Sequence, residues 1–208
     1  MLCTPLKISE KQQSDTFFHK ELPAISVSLS YPLIESDLTS SFTKKVNHFY
    51  KKDAVRLLSY IKKELLPEAG GLIEQALSQS RPLPECFLKA RFSVTENTEH
   101  CVSLYRDFTI FTDRTYTVRL SESWSRKTGC PVFLSDFFPW RKSAKKQALR
   151  CLFAEHHIPE KQKKYFRRYL KAESFYLQDG SLFLYYQPGT VAPPENGVSE
   201  YCIKKDVY

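Results

Sequence analysis

Glycine is scarce in this chain, six in 208 residues, and there is a single methionine. No stretch approaches the roughly 20 apolar residues that a membrane-crossing helix needs. The sequence contains no P-loop, no dinucleotide fingerprint and no H-E-x-x-H, so the commonest phosphate-cradling and zinc-hydrolase devices are missing. Six cysteines occur, Cys3, Cys86, Cys101, Cys130, Cys151 and Cys202. None belongs to a C-x-x-C pair, which removes the usual zinc and redox spacing. Cys101, Cys151 and Cys202 sit beside apolar residues and read as small hydrophobes, so six reduced thiols are expected. The first twenty residues lack an apolar run of signal-peptide length, and a cytoplasmic location is expected.

What is present is a globular composition, with 42% hydrophobic and 14% aromatic residues. Twelve tyrosines and fifteen phenylalanines favour strands with well-filled faces. The net charge of +8 is placed unevenly. Residues 141–171 hold 11 Lys/Arg against 2 Asp/Glu, whereas the rest of the chain holds 20 against 21. The positive charge therefore belongs to one segment.

Residues 1–22 are polar and aperiodic and read as a loose arm or an added edge strand; residues 23–208 read as one domain. Ile25, Val27 and Leu29 alternate with serines, the period of a half-buried strand. Apolar residues then recur at helical spacing across residues 36–66, with Ser36, Asp37 and Thr39 as candidate N-caps. Pro67 is expected to stop this helix, Gly70-Gly71 to break the chain, and residues 72–77 to form a short second helix. From Glu85 the period returns to two. Strands around Leu88–Val94, Val102–Ile110 and Tyr116–Leu120 make an antiparallel meander, its third strand facing inward through Tyr116, Val118 and Leu120. A short strand is expected at residues 132–134, and helices at 143–156 and 159–172. The latter is expected to bury Tyr165, Phe166, Tyr169 and Leu170. Asp179-Gly180 between two β-rich runs is a hairpin turn, because both positions tolerate a positive φ. A closing strand at 198–204 is expected to rejoin the sheet. The resulting class is α+β, a mostly antiparallel sheet of meander plus C-terminal hairpin, covered on one face by helices.

Few residues suggest chemistry. His156-His157 are adjacent on a helix, point about 100° apart, and suit a helix end better than a shared metal. Asp136 precedes Phe137-Phe138-Pro139 and reads as the cap of the following turn. Ser135 and His100 have no readable nucleophile–base–orienter arrangement. No catalytic residue, metal site or cofactor is expected. The loop carrying Pro188, Gly189, Pro193 and Asn196 reads as a stiff connection, with a binding loop as the alternative. Lys163, Lys164, Arg167 and Arg168 are the candidate anion-binding residues, expected opposite Tyr165, Phe166 and Tyr169; a solvated helical face is the plainer reading.

Four places resemble the PdaC/RsiV-like domain family, of the domain-of-unknown-function 3298 type, found mainly in Firmicute bacteria. They are the strand into Ser30-Tyr31-Pro32, Leu104-Tyr105, Leu134-Ser135-Asp136-Phe137-Phe138, and Phe183 to Gln187 with Ala192-Pro193 and Gly197. They follow the family's order over residues 24–204. The resemblance implies an α+β domain. The family's known contexts are the sensor part of an anti-sigma factor that recognises lysozyme and a non-catalytic region of peptidoglycan deacetylases. Where the family's meander carries a Gly-Gly-Ala-His turn, this chain has Thr112-Asp113-Arg114-Thr115, so no functional residue is carried over. A non-enzymatic binding or sensory module with a protein ligand is the leading expectation. Nucleic-acid or anionic-surface binding through residues 141–171 is the alternative. A cell-wall sugar hydrolase or deacetylase accessory ranks third, since no paired carboxylates are readable.

Overall fold

A computed structural model describes residues 5–35, 40–138 and 143–204. A five-stranded sheet has the order β1-β2-β3-β4-β5, and a separate three-stranded sheet the order β6-β7-β8. Strand β1 (Ile8–His19) pairs antiparallel with β2 (Leu22–Ile34) across a two-residue turn in which Lys20 and Glu21 both have positive φ. The N-terminal residues thus supply an edge strand. Strand β2 pairs in parallel with β3 (Cys86–Asn97), a crossover made through helices α1 (Ser41–Tyr60) and α2 (Leu66–Ser78). Strands β4 (Cys101–Phe111) and β5 (Thr115–Ser125) complete the meander.

The chain divides into two compact units, 7–92 with 107–117, and 1–6 with 93–106 and 118–208. In the first, Ile25, Val27 and Leu29 of β2 and Leu88 and Ala90 of β3 share a core with Ile61, Leu65, Ala69 and Ile73. Those four repeat every fourth residue, and the helix does not stop at Pro67. A π-helical turn at Ile61–Leu65 joins α1 to α2, and Pro67 lies in the first turn of α2. A wider turn accommodates a residue that has no N–H to give. Gly70 and Gly71 are helical as well. Gly70 is glycine because the His19 ring lies there: a Cβ would fall 2.6 Å from His19 Nδ1. The helix begins at Ser41, where the Ser40 hydroxyl accepts the Thr43 N–H at 3.0 Å. Ser36, Asp37 and Thr39 lie outside the described residues.

In the second unit, β6 (Phe175–Gln178), β7 (Ser181–Tyr186) and β8 (Ser199–Lys204) pair, among the described residues, only with one another. Asp179 and Gly180 turn β6 into β7 with positive φ, as the sequence requires. The Gly180 N–H donates to the Glu96 carboxylate at 3.0 Å. The expectation that these strands rejoin the meander is corrected. Leu177 donates its N–H to the Ser103 hydroxyl at 3.0 Å, and the Ser121 hydroxyl donates to the Phe175 carbonyl at 2.5 Å. Side-chain hydroxyls satisfy the β6 backbone where a ladder was expected. Helices α3 (Ala144–Glu155) and α4 (Glu160–Tyr169) complete this unit, and Leu149, Leu152, Phe166 and Leu170 share its core with Leu177, Leu182 and Leu184.

The strand expected at 132–134 is also corrected. Only an isolated bridge joins Trp124 to Pro131, and Leu134–Phe137 is a 3₁₀ turn. Asp136 makes that turn itself, its carboxylate accepting the Phe133 N–H at 2.9 Å. It closes the turn behind it, not the one ahead.

Candidate functional site

Helix α4 has the sequence EKQKKYFRRY. Phe166 is 1% exposed and Leu170 just beyond the helix is 2% exposed. Their i, i+4 row sets the phase of the helix. The Phe166 ring meets Tyr186 at 4.9 Å, Tyr201 at 5.4 Å and Phe153 of α3 at 6.2 Å, all edge-on. Such contacts add to area burial and allow little rotation of the helix.

With Phe166 fixed inward, Tyr165 and Tyr169 fall about 100° and about 60° to the same side. They are 42% and 38% exposed, which corrects the expectation that both are spent on the core. A single apolar row anchors so short a helix. The four candidate cations accordingly form two i, i+4 rows and not one face opposite the tyrosines. Lys163 and Arg167 each lie 5.3 Å from the centre of the Phe153 ring. Lys164 lies 4.9 Å from the Tyr165 ring centre and Arg168 5.3 Å from that of Tyr169. From Lys163 to Arg168 the cations span about 140° of the helix circumference. Glu160 ion-pairs with Lys163, whose hydrogen bond and charge hold the carboxyl below its usual range. Lys164, Arg167 and Arg168 are exposed. Of the basic segment, residues 141 and 142 lie outside the described residues.

The other sequence candidates do not join this face into one pocket. Pro188 is half-buried, and Gly189, Pro193 and Asn196 are exposed. Their loop is closed by its own bonds: the Thr190 hydroxyl donates to the Gln187 carbonyl at 2.6 Å, and Asn196 N–H to Pro193 O at 3.1 Å. His156 caps the end of α3 and lies 2.6 Å from the Cys202 carbonyl through Nε2, while His157 has left the helix with φ of 47°. Cys86 and Cys101 are buried and Cys130 is exposed. Among the described residues, no group of three or more His, Cys, Asp or Glu is placed to hold a metal ion, and no helix is long and apolar enough to cross a membrane.

A part-buried polar cluster around the buried Arg119 escaped the sequence reading. In β5 Arg119 is 7% exposed while Leu120 is 41% exposed, so the expected alternation fails there although Tyr116 packs against the core. The Arg119 guanidinium lies 3.6 Å from the centre of the Tyr105 ring and ion-pairs with Glu200 of β8. The Tyr176 hydroxyl donates to the same carboxylate at 2.9 Å. Burial, then that hydrogen bond, push the Tyr176 hydroxyl well above its usual range. Gln187 grips the Arg119 backbone from both sides, accepting its N–H at 2.9 Å and donating to its carbonyl at 2.6 Å. Only side-chain contacts of β5 with Tyr176, Gln187 and Glu200 reveal this, and no spacing in the sequence encodes it.

No family profile matches the sequence, and no curated protein matches it. Solved structures do. A member of the DUF3298 family from Bacteroides fragilis superposes with a TM-score of 0.65 at 12% identity, over 96% of this chain and 90% of that one. A DUF3298 family protein from Pseudomonas aeruginosa superposes with a TM-score of 0.63 at 14% identity, over 97% of this chain and 91% of that one. The fold is the DUF3298 fold, the type to which the four sequence motifs pointed. Neither source is a Firmicute.

Proposed function

We propose that this protein is a non-enzymatic binding module that takes a polyanion on the basic face of α4. The observation that carries the reading is the arrangement of Lys164, Arg167 and Arg168, exposed on a helix whose phase is locked by Phe166. A packed helix presents its charges with a smaller ordering cost than a floppy basic tail incurs on binding. The segment's excess of cations draws anions to this face rather than to the near-neutral remainder of the chain.

The test is a fluorescence titration with heparin, duplex DNA and single-stranded RNA at two salt concentrations. Binding is expected to weaken with salt. Neutralising Lys163, Lys164, Arg167 and Arg168 together is expected to flatten the salt slope by roughly one for each phosphate that no longer meets a cation. Absence of binding to all three at low salt overturns the reading, and a protein partner for the 188–197 loop then leads.

A further inference from the structure

Resting on that reading, we infer that the ligand of the α4 face is single-stranded nucleic acid, with two bases stacked on Tyr165 and Tyr169 and phosphates on Lys164 and Arg168. A solvated basic helix needs no aromatic on its charged side. This one exposes 42% of Tyr165 and 38% of Tyr169, two large rings four residues apart on a helix with a buried anchor of its own. Four residues of α-helix rise about 6 Å, so the rings are successive platforms and not one stacked pair. Single-strand binders combine such platforms with a cationic track, and base stacking is tolerant of sequence because every base has a π-face. Lys164 and Arg168 repeat with the same four-residue period one position earlier. Each lies over the ring that follows it, at 4.9 and 5.3 Å, so each ring has a cation beside it. A duplex keeps its bases stacked and paired and offers neither ring a base face. Heparin has no base to stack.

The experiment compares oligothymidylate, oligouridylate, an abasic oligonucleotide of equal length, duplex DNA and anionic phosphatidylserine vesicles on the full chain. The base-bearing single strands are expected to bind roughly a hundredfold more tightly than the abasic strand or the duplex, and oligothymidylate against oligouridylate separates DNA from RNA. Tyr165→Ala with Tyr169→Ala is expected to remove most of that difference while leaving abasic-strand binding intact, roughly tenfold for each ring removed. Tyr165→Trp keeps a stacking surface and is expected to retain affinity, with its indole fluorescence quenched on binding. A double alanine variant that binds base-bearing strands as the parent does overturns the inference. So does abasic, duplex or vesicle binding as tight as single-strand binding, although the polyanion reading survives that result. Failure of every anion to bind removes both.

Discussion

The two units hold their charged groups in opposite ways. In the unit around the β1–β2 hairpin, Lys20 and His19 reach Glu74 at 2.7 and 2.9 Å, with 51% of the Glu74 side chain exposed. Lys7 meets Glu35 at 2.6 Å, again at the surface. In the unit around β5, Arg119 and Arg106 are 7% and 4% exposed, paired with Glu200 and Glu122. Exposed pairs are screened by water and add little stability. A buried pair is different: removing one member strands the other where water cannot reach it. The first unit therefore uses charge as trim on an aliphatic core, whereas the second has charge built into its interior.

That contrast breaks most readily at Glu200. Glu200→Ala leaves the Arg119 guanidinium and the Tyr176 hydroxyl without their shared acceptor. Loss of about 2–4 kcal/mol is expected in urea unfolding, toward the low side because the Glu200 side chain is 39% exposed. A loss within experimental error would place Arg119 in the same class as Lys20.

The aliphatic unit has its own sensitive point, and it is steric. Gly70→Ala drives a methyl into the His19 ring and is expected to lose about 1–3 kcal/mol, with much of it recovered when His19→Ala is added. Gly71→Ala meets nothing within 4 Å and is expected to gain about 0.5–1 kcal/mol from helix propensity alone. Equal effects at the two glycines, read from denaturation midpoints, would refute the close approach of His19. A smaller effect is expected at Asp136→Ala, about 1 kcal/mol for a lost turn cap. Rapid exchange of the Phe133 amide in that variant is the direct readout.

Glu74 should show the smallest effect. Hydrogen bonds from Lys20 and then His19 lower its carboxyl pKa to about 2. A carboxyl lowered on folding contributes stability above its unfolded value and loses it as pH falls toward the folded one. The stability difference between the parent and Glu74→Gln is thus expected to shrink between pH about 4.5 and about 2, and to be small throughout because the group is exposed. Carbon-detected NMR titration of Glu74, with Lys20→Ala moving the midpoint upward, checks the cause.

Period and turn chemistry made much of the fold legible. Ile25, Val27 and Leu29 are all buried beside the exposed Ser26 and Ser28, and Asp179-Gly180 turns as its residues demand. Of the readings that failed, three show how context overrides local rules. Pro67 did not end a helix, because a π turn absorbed it. Leu120 faces outward because Arg119 found a carboxylate and an aromatic ring inside. Tyr165 and Tyr169 lie outside because one apolar row, Phe166 and Leu170, was enough to anchor α4. The candidate cations were visible as a charge excess, but their division into two rows depends on a helix phase that only packing fixes.

Strand β1 has a bearing on self-association. It forms one edge of the five-stranded sheet, and its central residues, Lys11 to Asp15, are polar and exposed. Behind it, β2 carries Ala24, Ile25, Val27 and Leu29, each no more than 3% exposed. An unpaired edge of that composition is a template for another chain. Proteolytic removal of residues 1–20 would strip the hydrophilic border from the sheet and leave β2 to pair with β2 of a second molecule. The polar N-terminal run, for all its lack of pattern, sets a hydrophilic strand at the sheet's edge beside the apolar β2.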